Sequence, residues 1–129
     1  MWPFRRNIPL GEKGEKLARR FLQRKGMEIL ATNFRCPAGE ADLIALDTKD
    51  PDRPGAATLA FVEVKTRSDD HYADPESAVN ARKRKQVRKV ADYYVRRYAA
   101  GDLSVRFDIV SIVLRPGENP QIRHMPGAF

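Results

Sequence analysis

Apolar positions change period several times along the chain, and each change marks an element. Leu17, Ala18, Phe21 and Leu22 recur at helical spacing, which predicts a helix over residues 11–25 closed by Gly26. Residues 27–35 and 39–47 read as strands, separated by a Cys-Pro-Ala-Gly turn. Residues 48–57, polar and rich in Asp, Pro and Gly, read as a hairpin loop, and residues 58–67 form the strongest strand. After a polar loop at 68–77, Asp74-Pro75 fits an N-cap followed by proline at the first helical position. A long helix is predicted from there to about residue 98, with Val87, Val90, Ala91, Tyr94, Val95 and Tyr98 inward. Residues 104–115 form a further strand, and the tail beyond them adds a short edge strand. The core order αβββαβ implies an α/β fold, helices packed on a mixed sheet.

Two charged residues interrupt the strongest strand. Glu63 and Lys65 lie two apart, so both point to one face. Charges on a buried strand cost several kcal/mol (about 2–7 for even a neutral polar group) unless they are paired or bind a metal. If residues 39–47 and 58–67 form a hairpin centred on the polar loop, positions whose numbers sum to 105 face each other. Asp42 then lies opposite Glu63, Glu40 opposite Lys65, Ile44 opposite Phe61 and Leu46 opposite Leu59. Two carboxylates with Cβ atoms roughly 5 Å apart are close enough to share a divalent cation. The same charges also suit a buried Lys–Glu network without a metal. Glu15 lies along the edge of the first helix's apolar stripe, where it either points at the sheet or pairs on the surface with Arg19.

Composition narrows the class. With 129 residues the chain suits one domain, 11–129 after a tail at 1–10, large enough to fold without disulfide staples. Cys36 is the one cysteine, which excludes an intramolecular disulfide and suggests a reducing compartment. No apolar run approaches the roughly 18–20 residues that span a bilayer, and residues 1–14 lack a signal peptide's apolar core, so a cytoplasmic location is expected. His71, His124 and Cys36 have no zinc-like spacing.

The net charge is +7, unevenly spread. Residues 13–25 carry +5 and residues 82–97 carry +7, flanking a centre at 40–76 that carries −6. Two basic helices beside an acidic centre suit a polyanion-binding surface around a carboxylate site.

The motifs Gly11-Glu12-Lys13-Gly14-Glu15, Asn33, Gly39-Glu40-Ala41-Asp42-Leu43-Ile44-Ala45, Phe61-Val62-Glu63-Val64-Lys65-Thr66-Arg67, Ala78-Val79 with Lys83, and Arg106-Phe107-Asp108 follow in that order. Together they resemble the YraN-like uncharacterised bacterial family and, more broadly, the PD-(D/E)xK nucleases related to archaeal Holliday-junction resolvases. Ala41 stands where the nominal motif has proline. The resemblance implies a restriction-endonuclease-like fold and Mg²⁺-dependent hydrolysis of phosphodiester bonds in structured or branched DNA, with Mn²⁺ as a substitute and a homodimer as the assembly. It implies that Asp42, Glu63 and the Val64 carbonyl hold the metal, and that Lys65 orients or deprotonates the attacking water. Glu15 would stand behind them or bind a second ion. Lys83, Lys85, Arg88 and Lys89 are the expected nucleic-acid contacts, DNA rather than RNA. The alternatives are a nucleic-acid-binding module with little turnover and an adaptor whose basic helix docks on an acidic protein.

Overall fold

A computed structural model describes residues 10–68 and 79–129. The elements are α1 (Leu10–Arg24), β1 (Glu28–Cys36), β2 (Gly39–Asp47), β3 (Thr58–Arg67), α2 (Ala81–Arg97), β4 (Ser104–Val113) and β5 (Gln121–Met125). The five strands form one sheet in the order β1-β2-β3-β4-β5. The β1–β2, β2–β3 and β4–β5 pairs are antiparallel, whereas β3 and β4 are parallel, as the α2 crossover between them requires. This is an α/β fold with a mixed sheet flanked by two helices, compatible with the restriction-endonuclease-like architecture.

Each helix covers a different face of the sheet. Ala18 and Leu22 of α1 pack on Leu43, Ala45, Ala60, Val62, Val110 and Ile112, with Leu17 and Phe21 at the margin. Val87, Val90 and Ala91 of α2 pack on Ala41, Ile44, Leu59 and Phe61, with Tyr94 and Val95 partly covered. Because both faces are covered, β3 is apolar from Leu59 to Val62 rather than alternating. Gly14 of α1 is buried directly against Thr66, and a side chain there would overlap the threonine. That close crossing brings the start of α1 to the far end of β3.

Several boundaries differ from the sequence pattern. Helix α1 ends as expected, with Gly26 at φ 90°. The Asp74-Pro75 cap lies outside the described residues, and α2 begins at Ala81. There Asn80 is the N-cap, its side chain accepting the Lys83 N–H. Tyr98, expected inward, is the C-cap and is 54% exposed. His71, Trp2 and Phe4 also lie outside the described residues.

The ends of β2 and β4 near the 48–57 loop are held by a buried ionic cluster. Arg106 binds both Asp108 oxygens, at 2.8 and 2.9 Å, and also reaches Asp47 at 2.9 Å and Asp50 at 3.1 Å. Burial works against the Arg106 charge, but Asp108 and Asp47 hold its pKa above the ordinary value. Asp108 is fully buried and accepts further bonds from His124 Nε2 at 2.9 Å and the Gly127 N–H at 3.0 Å. Burial alone would raise the Asp108 pKa; His124, Arg106 and Gly127 together bring it below the usual carboxylate value. A depressed folded-state pKa contributes stability above the unfolded value and loses it as pH falls below about 4. Asp108→Ala is therefore expected to cost about 3 kcal/mol at pH 7 in urea denaturation. The gap between variant and wild type should shrink as pH is lowered through that range.

Candidate active site

The site forms where β2 and β3 part. Their ladder runs from Asp47–Thr58 to Leu43–Val62, the pairing in which facing positions sum to 105. One step further, Asp42 and Glu63 come opposite each other, and there the ladder ends. Asp42 Oδ2 accepts the Val64 N–H at 2.8 Å, so a side chain takes the place of the next backbone partner. The N–H and C=O of an extended residue point to the same side of its strand, so the Val64 carbonyl faces the same gap.

Strands β1 and β2 both change phase at this point. Thr32 pairs with Leu43 and Phe34 with Ala41, which sets Asn33 across from Asp42. Asn33 has φ 49°, the left-handed region that asparagine tolerates better than most residues. Leu43 packs on the α1 side and Ala41 on the α2 side, although an unbroken strand would put both on one face. Asp42 at the switch thus lies in the sheet plane, in reach of both faces rather than aligned on one with Glu63.

Glu63 is 1% exposed and lies on the α2 side. Its Oε1 has no hydrogen-bond partner, and its Oε2 lies 3.8 Å from Lys83 Nζ. Burial, and then the adjacent Asp42 carboxylate, push its pKa up to about 8, with Lys83 and Lys65 pulling the other way. Lys65, half-buried, thus acts on Glu63 by its charge. Glu15 approaches from α1. Burial raises its pKa, the Asn33 side chain hydrogen-bonds it and opposes the rise, and Asp42, Glu40 and Glu12 add to it. Glu40 does not face Lys65: it pairs with Arg35 on β1 and holds its side chain at 3.2 Å, because the β2–β3 ladder has already ended.

Gln86 is the residue the site adds to the sequence-derived set, and Asn33, a motif residue without an assigned role, gains one as the hydrogen-bond partner of Glu15. Asn33 was visible as an asparagine inside a strand, where its propensity is poor. Gln86 carried no signal: it packs against Gly39, whose φ is 135° and which has no room for a side chain, and accepts from Lys83 Nζ at 3.3 Å.

The expected nucleic-acid contacts divide into two groups. Lys85, Arg88 and Lys89 are exposed on α2. The Arg88 guanidinium lies 5.7 Å from the Phe107 ring centre and 5.8 Å from that of Phe129, at cation–π distance from both. Lys89 borders a shallow groove of about 470 Å³ shared with Asp92, Tyr93, Arg96 and Arg97. Lys83 stands apart, turned to Glu63. Around Glu15, a second opening of about 350 Å³ is bordered by Lys13, Lys16 and Arg19 of α1 and by Asn33.

Among the described residues, no three His, Cys, Asp or Glu side chains converge closely enough to cage a metal. The gap offers two carboxylates and a backbone carbonyl, all oxygen donors. That set fits Mg²⁺, which is commonly held by one or two carboxylates and keeps waters and substrate phosphates as its other ligands. The unpartnered Glu63 Oε1 is a lone pair that such an ion would satisfy.

A profile of the uncharacterised protein family UPF0102 matches residues 14–112, which include Glu15, Asn33, Asp42, Glu63, Lys65 and Lys83. A UPF0102 protein of Geobacter metallireducens is 43% identical over 123 residues, covering 95% of this chain and 93% of its own length. Those of Nocardia farcinica and Solibacter usitatus are 43% and 45% identical, over 93% and 92% of this chain and 88% and 84% of their own lengths.

A carboxyl whose folded pKa is raised disfavours folding once it ionises. Stability is lost as pH climbs from the unfolded value of about 4.3 towards 8. In EDTA, Glu63→Gln should match wild type near pH 4.5 and exceed it by a few kcal/mol (on the order of 2–4) at pH 8.5, measured by urea denaturation.

Proposed function

The chain belongs to the uncharacterised protein family UPF0102, the YraN family, and from its site geometry we propose that it is a Mg²⁺-dependent endonuclease acting on structured or branched DNA. The observation that carries this reading is the buried, partly unpartnered Glu63 carboxyl beside Asp42, whose own carboxylate replaces the next backbone partner of β3. A purely structural buried carboxylate is normally saturated, as Asp108 of the same chain is.

Asp42, Glu63 and the Val64 carbonyl would hold the ion. When bound, Mg²⁺ polarises the scissile phosphate, acidifies a coordinated water and offsets charge on the leaving oxygen. Lys65, on the same strand two residues from Glu63, would orient the attacking water and help deprotonate it. Glu15, held by Asn33, approaches Asp42 from the opposite face. Its charge sets the field at the gap without making it a third ligand of the same ion. Lys85, Arg88 and Lys89 would neutralise backbone phosphates on the α2 side, and Lys13, Lys16 and Arg19 on the α1 side. Contacts of this kind make affinity fall steeply with salt.

The test is incubation of the purified chain with duplex, single-stranded, flap and four-way-junction DNA, and with RNA, in Mg²⁺, Mn²⁺ or EDTA. Cleavage is expected with either metal and not in EDTA. Glu63→Gln and Lys65→Ala should each lower the rate by about 100-fold or more. Tight, salt-sensitive binding without cleavage in any metal would instead identify a binding module, and neither binding nor cleavage at low salt would point to a protein adaptor.

A further inference from the structure

The ionised form of a carboxyl as deeply buried as Glu63 needs a positive partner. The ammonium at ion-pair distance from it is not that of Lys65, its motif partner, but that of Lys83, which comes from another element. We infer that Lys83 is the counter-cation of the ionised Glu63 in the metal-free site, displaced from it when a divalent ion enters and then free to meet a substrate phosphate. This rests on the metal-binding reading above and assigns Lys83 a positioning role within it.

Three observations support the assignment. First, Lys83 is delivered by scaffold rather than by chance. Its backbone N–H is capped by Asn80 at 2.9 Å, and its Nζ donates at 3.3 Å to Gln86, itself wedged against Gly39. Second, the pair with Glu63 is loose. At 3.8 Å it engages Oε2 and leaves Oε1 bare, whereas the structural ion pairs around Asp108 are 2.8–2.9 Å and saturated. Third, Lys83 has somewhere to go. Its side chain is 26% exposed while that of Glu63 is 2% exposed, and a lysine stem swings readily. A divalent ion held by Asp42 and Glu63 would repel the ammonium and give the bare Glu63 oxygen a partner. The released charge then lies at the start of α2, on the side of the sheet that carries Lys85, Arg88 and Lys89.

The inference is tested on the full chain without nucleic acid, by calorimetric titration with Mn²⁺ and by melting temperature in EDTA and in saturating Mn²⁺. Removing the competitor in Lys83→Met should tighten Mn²⁺ binding several-fold. It should also lower the melting temperature in EDTA and enlarge the rise produced by Mn²⁺. Lys83→Arg, which keeps the charge and folds if the neutral variant does not, should bind Mn²⁺ as wild type does or several-fold more weakly. Unchanged or weaker Mn²⁺ affinity in Lys83→Met, with an unchanged thermal shift, would overturn the displacement; so would tighter binding by Lys83→Arg. Absence of Mn²⁺ binding by the wild type itself would instead remove the metal-binding reading on which the inference stands.

Discussion

Strands β2 and β3 stop pairing at Asp42 and Glu63, and the chemistry of the molecule follows from how that break is made. A carboxylate accepts the backbone N–H that the next ladder position would otherwise have used. The substitution opens a gap in the middle of an otherwise covered sheet without stranding the Val64 donor. It also turns Asp42 into the plane between the strands, where α1 brings Glu15 from one face and α2 brings Lys83 from the other. The close packing of Gly14 on Thr66 and of Gly39 on Gln86 holds both helices near enough for this.

The two ends of β2 and β3 manage buried charge in opposite ways. At the 48–57 end, Arg106, Asp108, Asp47, Asp50 and His124 satisfy one another, and Lys25 caps the outer nitrogen of His124 at 2.7 Å. Lys25 donates to Nδ1, so Nε2 carries the imidazole proton and gives it to Asp108. At the other end Glu63 is under-satisfied, Asn33 sits in the left-handed region, and burial, reinforced by neighbouring carboxylates, raises the pKa of Glu63 and of Glu15. Stored strain and unmet polar capacity at one end are tolerated because the other end ties the strands together.

Much of this was legible in the chain. The hairpin register could be read because the polar loop is flanked by two strands of clear apolar pattern, and symmetry about it puts Ile44 against Phe61 and Leu46 against Leu59. The interruption of a buried strand by Glu63 and Lys65 pointed to the site for an energetic reason. The sideways Asp42 was not legible, because strict alternation places it on one face with Glu63 and only the backbone of Asn33 breaks that alternation. The Glu40–Lys65 pairing failed for the same reason, since it extrapolated the ladder past its end. Helix α2 starts at Ala81, later than the pattern placed it, because the Asn80 side chain caps the Lys83 N–H, a signal the apolar periodicity does not carry; the Asp74-Pro75 cap lies outside the described residues. Lys83, one base among eight between residues 82 and 97, was singled out by the motif but expected at a phosphate rather than at Glu63. Its inward direction depends on how α2 lies over β3, a tertiary fact.

The claim on which the rest turns is that the gap between Asp42 and Glu63 is a divalent-cation seat. It is tested most directly by the anomalous difference density of a wild-type crystal soaked in Mn²⁺. The account predicts a peak within bonding distance of Asp42, Glu63 and the Val64 carbonyl, with Lys83 turned away from Glu63. Density without a peak at that position, with Lys83 still paired to Glu63 in saturating Mn²⁺, would contradict it.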